Sequence, residues 1–198
     1  MTPTLTRPAA PATAPRHGRG EPVALVVSLA VALGCVLAMS PLEHRLRAAS
    51  GGLGKLDFLF GYSAATVRLY LESYGPEGRA LFWRLNGIDL VFPVAFAAVC
   101  LLGARMADSA LGRPRRLALF AAPAAIFLLC DWGENAAFYL LLDGYPRLDS
   151  VVVAVASRLT QAKLLALALC WVGLVLTAGV GVSVLARRLR RAAPLGGA

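Results

Sequence analysis

Charged side chains are scarce in this sequence. They make up 16% of its 198 residues while hydrophobic residues reach 58%, against about 25% and about 45–50% in a soluble domain. That balance excludes a disordered chain and an ordinary water-soluble enzyme. Histidine is scarcer still: His17 and His44 are the only two, both outside the apolar blocks, so zinc hydrolase chemistry lacks its ligands. Lysine is reduced to Lys55 and Lys163, and the other cations are all arginine. Cys35, Cys100, Cys130 and Cys170 fall one to each apolar block with no C-x-x-C spacing. A dithiol redox motif or a thiolate zinc site would need that spacing, so the cysteines read as small apolar residues inside helices. No P-loop, dinucleotide fingerprint or G-x-S-x-G motif occurs. No metal and no cofactor are expected.

What the chain has in quantity is apolar sequence, gathered into blocks of about 20 residues, the length that crosses about 30 Å of hydrocarbon. The expected fold is an all-α membrane protein, a four-helix transmembrane bundle with an amphipathic helical segment on its outer face. The spans fall at 22–40, 87–104, 117–142 and 164–186, with the outer segment at 41–86 and the whole membrane domain at 22–191. Residues 1–21, rich in Pro, Ala, Thr and Arg, read as a disordered basic tail, and 192–198 as a flexible one. The first block resembles the core of a signal peptide. Its length, and Pro41 just after Ala38 and Ser40, argue instead for an uncut first span.

Within the outer segment, Gly51, Gly52 and Gly54 punctuate a loop. Val67, Tyr70, Leu71 and Tyr74 then recur at helical spacing, with Arg68 and Glu72 paired at i, i+4. This predicts a short amphipathic helix from Ser63 to Tyr74, suited to a bilayer surface. Gly75 ends it, and Pro76 opens the helix that continues into the second span. The fourth apolar stretch, Val151 to Ala186, would exceed about 50 Å as one helix, and is expected to project on the Val151 side.

The net charge of +9 follows the spans. Arg7, Arg16 and Arg19 precede the first, Arg105, Arg113, Arg115 and Arg116 lie between the second and third, and Arg187, Arg188, Arg190 and Arg191 follow the fourth. With four spans these regions share one face, expected to be cytoplasmic at the plasma membrane. Arginines at span ends, rather than along one soluble face, exclude nucleic acid as the partner. Aromatic residues gather at the opposite face: Phe58, Phe60, Tyr62, Tyr70, Tyr74, Phe82, Trp83, Tyr139 and Tyr145. They read as an interfacial belt or as the lining of a groove for a lipid-like ligand.

The residues that hydrocarbon should exclude carry the chemistry. They are Asp89 on the second span, Asp131, Glu134 and Asn135 on the third, and Arg158, Gln161 and Lys163 on the fourth helix. An ionisable group at the bilayer centre costs at least about 2.5–3.5 kcal/mol, so partners are required. Asp131, Glu134 and Asn135, at i, i+3 and i+4, share one helix face. Pro93, four residues after Asp89, should kink its helix there. Counted from the arginines below them, Asp89 and Asp131 both lie about 22–24 Å up, in the outer leaflet. Counted from the other end, Asp131 matches Lys163 and Glu134 matches Arg158. Three acids and two bases leave one negative charge, to be met by a proton or a cation. Ala30, Gly34 and Ala38 on the first span, and Gly173, Thr177 and Gly181 on the fourth, form small-residue faces for packing within the monomer or between copies.

The stretch Tyr74-Gly-Pro-Glu-Gly-Arg79 leading to Asp89 and Phe92-Pro93, with Asp131-x-x-Glu134-Asn135 and Tyr145-Pro146, resembles a pattern in uncharacterised small four-span bacterial membrane proteins. That group has no established activity, so the resemblance implies a topology and no reaction. The expected role is binding or membrane assembly, with the lipid bilayer and a lipid-like ligand or membrane protein as partners. The alternative is a membrane-embedded enzyme or lipid-binding protein, with Asp131 or Glu134 as acid or base and Lys163 or Arg158 holding an anionic headgroup. A proton or cation path is the weaker alternative, because the inner halves of the helices lack acids.

Overall fold

The computed structural model describes residues 20–111 and 121–192. The expected basic tail up to Arg19, the arginines 113, 115 and 116, and residues 193–198 therefore lie outside the described residues. The elements are α1 (Gly20–Ala49), a single 3-10 turn (Leu56–Phe58), α2 (Ala64–Asp89), α3 (Phe92–Leu111), α4 (Ala121–Gly144) and α5 (Ser150–Ala192). Among the described residues there is no strand, and the expected all-α bundle stands. Four helical stretches are long and apolar enough to cross a membrane: Gly20–Ala49, Ala64–Ser109, Ala121–Gly144 and Ser150–Arg187. The chain is a multi-pass membrane protein.

Two backbone interruptions shape the second crossing. Ser63 caps α2, its hydroxyl accepting from the Thr66 N–H at 3.2 Å. One helical rod would follow, but Gly75 sits at φ 60°, ψ −173°, a conformation that side chains with a Cβ strongly disfavour. Pro76 resumes the helix, as its spacing predicts. The second interruption separates α2 from α3 at Leu90 and Val91. Pro93 has no N–H to offer the Asp89 carbonyl. The Leu90 carbonyl is taken from outside the helix by the Trp132 indole N–H, at 2.9 Å.

Cross-helix contacts set the register. Arg105 pairs with Glu21 at 3.0 Å, Phe82 meets Phe138 with ring centroids 5.2 Å apart, and Phe96 meets Trp171 at 5.8 Å. These contacts place Ala49, Pro76, Gly144 and Ser150 at one end of the bundle, the loop end, and Arg105 toward the other. A Cβ on Gly103 would lie 3.7 Å from Thr177, so α5 runs about 20 Å past the level of Arg105 before Ala192. The surplus length of α5 thus emerges at the arginine end, not on the Val151 side. Val153 and Ala156 are buried against the loop-end core, whereas Arg187 and Arg190 are exposed, so water is cheapest for the basic end.

That loop-end core joins Leu46, Leu56, Val67, Leu71, Tyr74, Phe82, Leu85 and Phe138. A second core of Phe96, Cys100, Ala124, Phe127, Ala166 and Cys170 fills the middle of the bundle. The apolar face of the first part of α2 is therefore filled by the protein's own side chains rather than laid on a bilayer. The small-residue faces divide. Gly173 is buried and Thr177 half-buried against Gly103, but Gly181 opens onto free space. Ala30, Gly34 and Ala38 are all exposed, because the larger Cys35, Met39 and Leu46 form the buried stripe of α1. Monomer packing through those three residues does not occur.

Candidate functional site: a buried charge network

The shared face of α4 delivers Asp131, Glu134 and Asn135 into the protein, none more than 3% exposed. The Asn135 amide donates to Asp131 Oδ2 at 3.1 Å. Lys163, on the facing turn of α5, places its ammonium 3.4 Å from Asp131 Oδ1 and against Glu134 Oε2. Lys163 therefore serves both acids of α4, uniting what the two counts from the sequence divided between Lys163 and Arg158.

Arg158 takes no part. It lies five residues before Lys163, about 140° around the helix, and is exposed, donating to Gln161 Oε1 at 3.0 Å. Gln161 is also outside the network and its amide lies against Gly61, whose positive φ of 91° disfavours any residue with a Cβ.

The missing partners come from the loop between α1 and α2. Lys55 and Asp57 reach into the bundle and are 5% and 3% exposed. The Lys55 ammonium is 2.9 Å from Asp57 Oδ2 and 2.9 Å from Asp89 Oδ2. Asp57 Oδ2 also receives Lys163 at 3.4 Å. Burial alone would pull the Lys55 ammonium down, but the carboxylates of Asp57 and Asp89 outweigh it and hold its pKa above the ordinary value. Burial alone would raise Asp57, and Lys55 with Lys163 holds it below the usual carboxylate value. Loop geometry is fixed around this insertion: Ser50 donates to the Leu46 carbonyl at 2.7 Å, and the Tyr74 hydroxyl to the Gly54 carbonyl at 2.7 Å. The Tyr62 N–H donates to Ser157 Oγ at 2.9 Å.

A hydroxyl pair completes the site. Thr160, one turn before Lys163, donates to Glu134 Oε1, and its oxygen is 2.9 Å from the Tyr62 hydroxyl. The ion pairs thus join four carboxylates (Asp57, Asp89, Asp131, Glu134) to two ammonium groups. Asp57 Oδ1 and both amide atoms of Asn86 are buried with no hydrogen-bond partner. Among the described residues no group of three His, Cys, Asp or Glu is arranged to hold a metal.

Lys55, Asp57, Thr160 and Asn86 carried weak signals in the sequence. Lys55 is one of two lysines and stands two residues from an acid, and Thr160 shares a helix face with Lys163. The expected aromatic belt also divides. Tyr74 and Phe82 are buried in the core, while Phe58, Phe60 and Trp83 are 60%, 64% and 49% exposed. Trp83 and Tyr139 stack edge to face at 4.4 Å, and the Arg79 guanidinium lies 4.5 Å from the Tyr145 ring. One groove of about 460 Å³ runs along Ala154, Val155, Arg158, Leu159 and Ala162. Another, of about 270 Å³, lies between Arg79, Ala80, Trp83, Leu142 and Asp143. Neither is lined by a residue of the network. Comparison with protein-family models, curated proteins and solved structures finds no match to this chain.

Proposed function

We propose that this is a plasma-membrane protein with both termini cytoplasmic, whose charge network in the outer leaflet serves binding or membrane assembly. The network fastens the 50–63 loop to the helices and so builds a rigid outer cap. One observation carries this reading: a single oxygen of Asp57, a loop residue, is shared by the ammonium groups of Lys55 and Lys163. Each of the six charged groups of the network has a partner of opposite sign in the same chain, as a fastening requires. The cap then presents Phe58 and Phe60 outward, a surface for lipid or for a membrane protein partner. The four-span bacterial group that the motifs resemble belongs to the same reading.

The enzyme reading has less support, because Lys163 is committed to three carboxylates and Arg158 lies on the outside of α5. Thermal melting in detergent tests the fastening. Asp57→Asn should melt below wild type, since it removes the carboxylate that both ammonium groups share. It leaves Lys55 paired with Asp89 and Lys163 with the acids of α4, a loss of charged hydrogen bonds that costs about 1.5–3 kcal/mol. An unchanged melting temperature would refute the fastening role. Labelling of Phe60→Cys in intact cells by a membrane-impermeant maleimide tests the orientation, and absence of labelling would reverse it.

A further inference from the structure

We propose that Glu134 is the proton-binding carboxylate of this network, loaded from the loop end of the bundle through the hydroxyls of Tyr62 and Thr160. The charge count requires an occupant: four carboxylates face two ammonium groups, and among the described residues no group of three His, Cys, Asp or Glu is arranged to hold a metal. Protons answer that excess without needing room for an ion. Buried polar atoms without partners mark the same place. The Phe82–Phe138 contact fixes the register of the antiparallel helices, so Asn86, four residues past Phe82, stands level with Glu134, four residues before Phe138. Asn86 is wholly buried on the face of α2 that carries Asp89, its amide unpartnered, so this level of the bundle holds a buried donor and a buried acceptor left unsatisfied.

Glu134 has a hydroxyl contact that reaches outward. Its Oε1 accepts from Thr160, Thr160 Oγ1 is 2.9 Å from the Tyr62 hydroxyl, and Tyr62 is half-buried at the loop end. Burial keeps the Tyr62 phenol protonated, with its pKa well above the ordinary value. A proton moves by a balanced relay. Glu134 takes the Thr160 hydroxyl proton, Thr160 takes that of Tyr62, and hydronium at the surface restores Tyr62.

Both end states keep their hydrogen bonds. With Glu134 ionised, Thr160 donates to it. With Glu134 protonated, its hydroxyl donates to Thr160, which turns to the Ala156 carbonyl 2.9 Å away. The groups that face this proton are Lys163 and Thr160 on α5, Cys130 on α4, and Asp57 and Tyr62 on the loop, with Asp131, one turn away on α4, sharing Lys163; Lys55 and Asp89 act on Asp131. The proposal goes beyond the fastening role and stands without it.

Infrared spectroscopy of the full chain in lipid nanodiscs is the test. A carboxylic-acid carbonyl band should be present at neutral pH and vanish as the pH rises. It should shift with ¹³C-glutamate, stay put with ¹³C-aspartate, and be absent from Glu134→Gln. Labelling of the wild type keeps the test valid if that variant fails to fold. Tyr62→Phe should keep the band but slow its deuterium exchange about tenfold or more. A band that follows aspartate labelling, or no band at any pH where the chain stays folded, overturns the assignment. Exchange at the wild-type rate in Tyr62→Phe overturns the route.

Discussion

The ammonium of Lys163 lies 3.4 Å from Oδ2 of Asp57, a residue 106 positions away in the chain. That contact ties the loop after α1 to the first third of α5 and closes the network over Asp131 and Glu134. Its consequence for stability is a contrast between two cations on the same helix. Lys163→Met removes the partner of three buried carboxylates, and should lower stability by about 3–5 kcal/mol. Arg158→Met removes an exposed side chain bonded only within its own turn, and should stay within about 0.5 kcal/mol. Melting both variants in one detergent checks the contrast, and equal losses would contradict the geometry.

The pH dependence of the loop anchor follows from its two charges. Asp57 is held below its ordinary value of 3.8, so its contribution to stability is fully present above that value. It is lost as the pH falls through the depressed folded value. Lys55 is held above 10.5, so its contribution is present below that value and lost as the pH rises through the raised one. The melting difference between wild type and Asp57→Asn should therefore shrink as the pH falls below 3.8. A difference that grows on acidification would have the wrong sign.

The kink at Gly75 gives a backbone prediction. Gly75→Ala places a Cβ at φ 60°, where nothing crowds it within 4 Å, so the penalty is conformational rather than steric. A loss of about 1 kcal/mol or more is expected. The neighbouring Pro76→Ala should cost less, since a first-turn proline supplies preorganisation and no contact. Denaturant titration of both variants orders them, and a neutral Gly75→Ala would show that the segment adopts another conformation.

How far the sequence disclosed all this depends on whether the cause was local. Span existence, the Gly75–Pro76 junction and the interruption ahead of Pro93 come from composition and backbone chemistry within a few residues, and each was legible. The face of Asp131, Glu134 and Asn135 was legible because spacing on one helix settles it. Lys55 and Asp57 were not, since they stand in a glycine-punctuated loop with no period, and only the closure of the whole bundle brings them to Asp89 and Lys163. Arg158 and Gln161 shared the apolar block with Lys163, but rotation about the helix axis, which block membership ignores, turned them away. Gly34 and its neighbours had the right spacing on the wrong side of α1, because Cys35 and Met39 offer more surface to bury.

The clasp between α4 and the broken crossing is a last point where one bond can be removed. Trp132 donates its indole N–H to the Leu90 carbonyl at 2.9 Å, beside the gap that Pro93 opens in the hydrogen-bond ladder. Trp132 is 43% exposed, so much of its ring faces outward and the bond is the specific part of its contact. Trp132→Phe keeps an aromatic ring and loses the donor, leaving the Leu90 carbonyl without it. The net worth of such a bond is about 0.5–1.5 kcal/mol, and a stranded acceptor raises the cost toward about 1–3 kcal/mol. Pairing the substitution with Pro93→Ala, which restores an N–H for the Asp89 carbonyl, separates the two causes. If the indole compensates for the proline, the double variant should recover part of the loss measured by melting for Trp132→Phe alone. Strict additivity of the two changes would show that the clasp and the kink are independent.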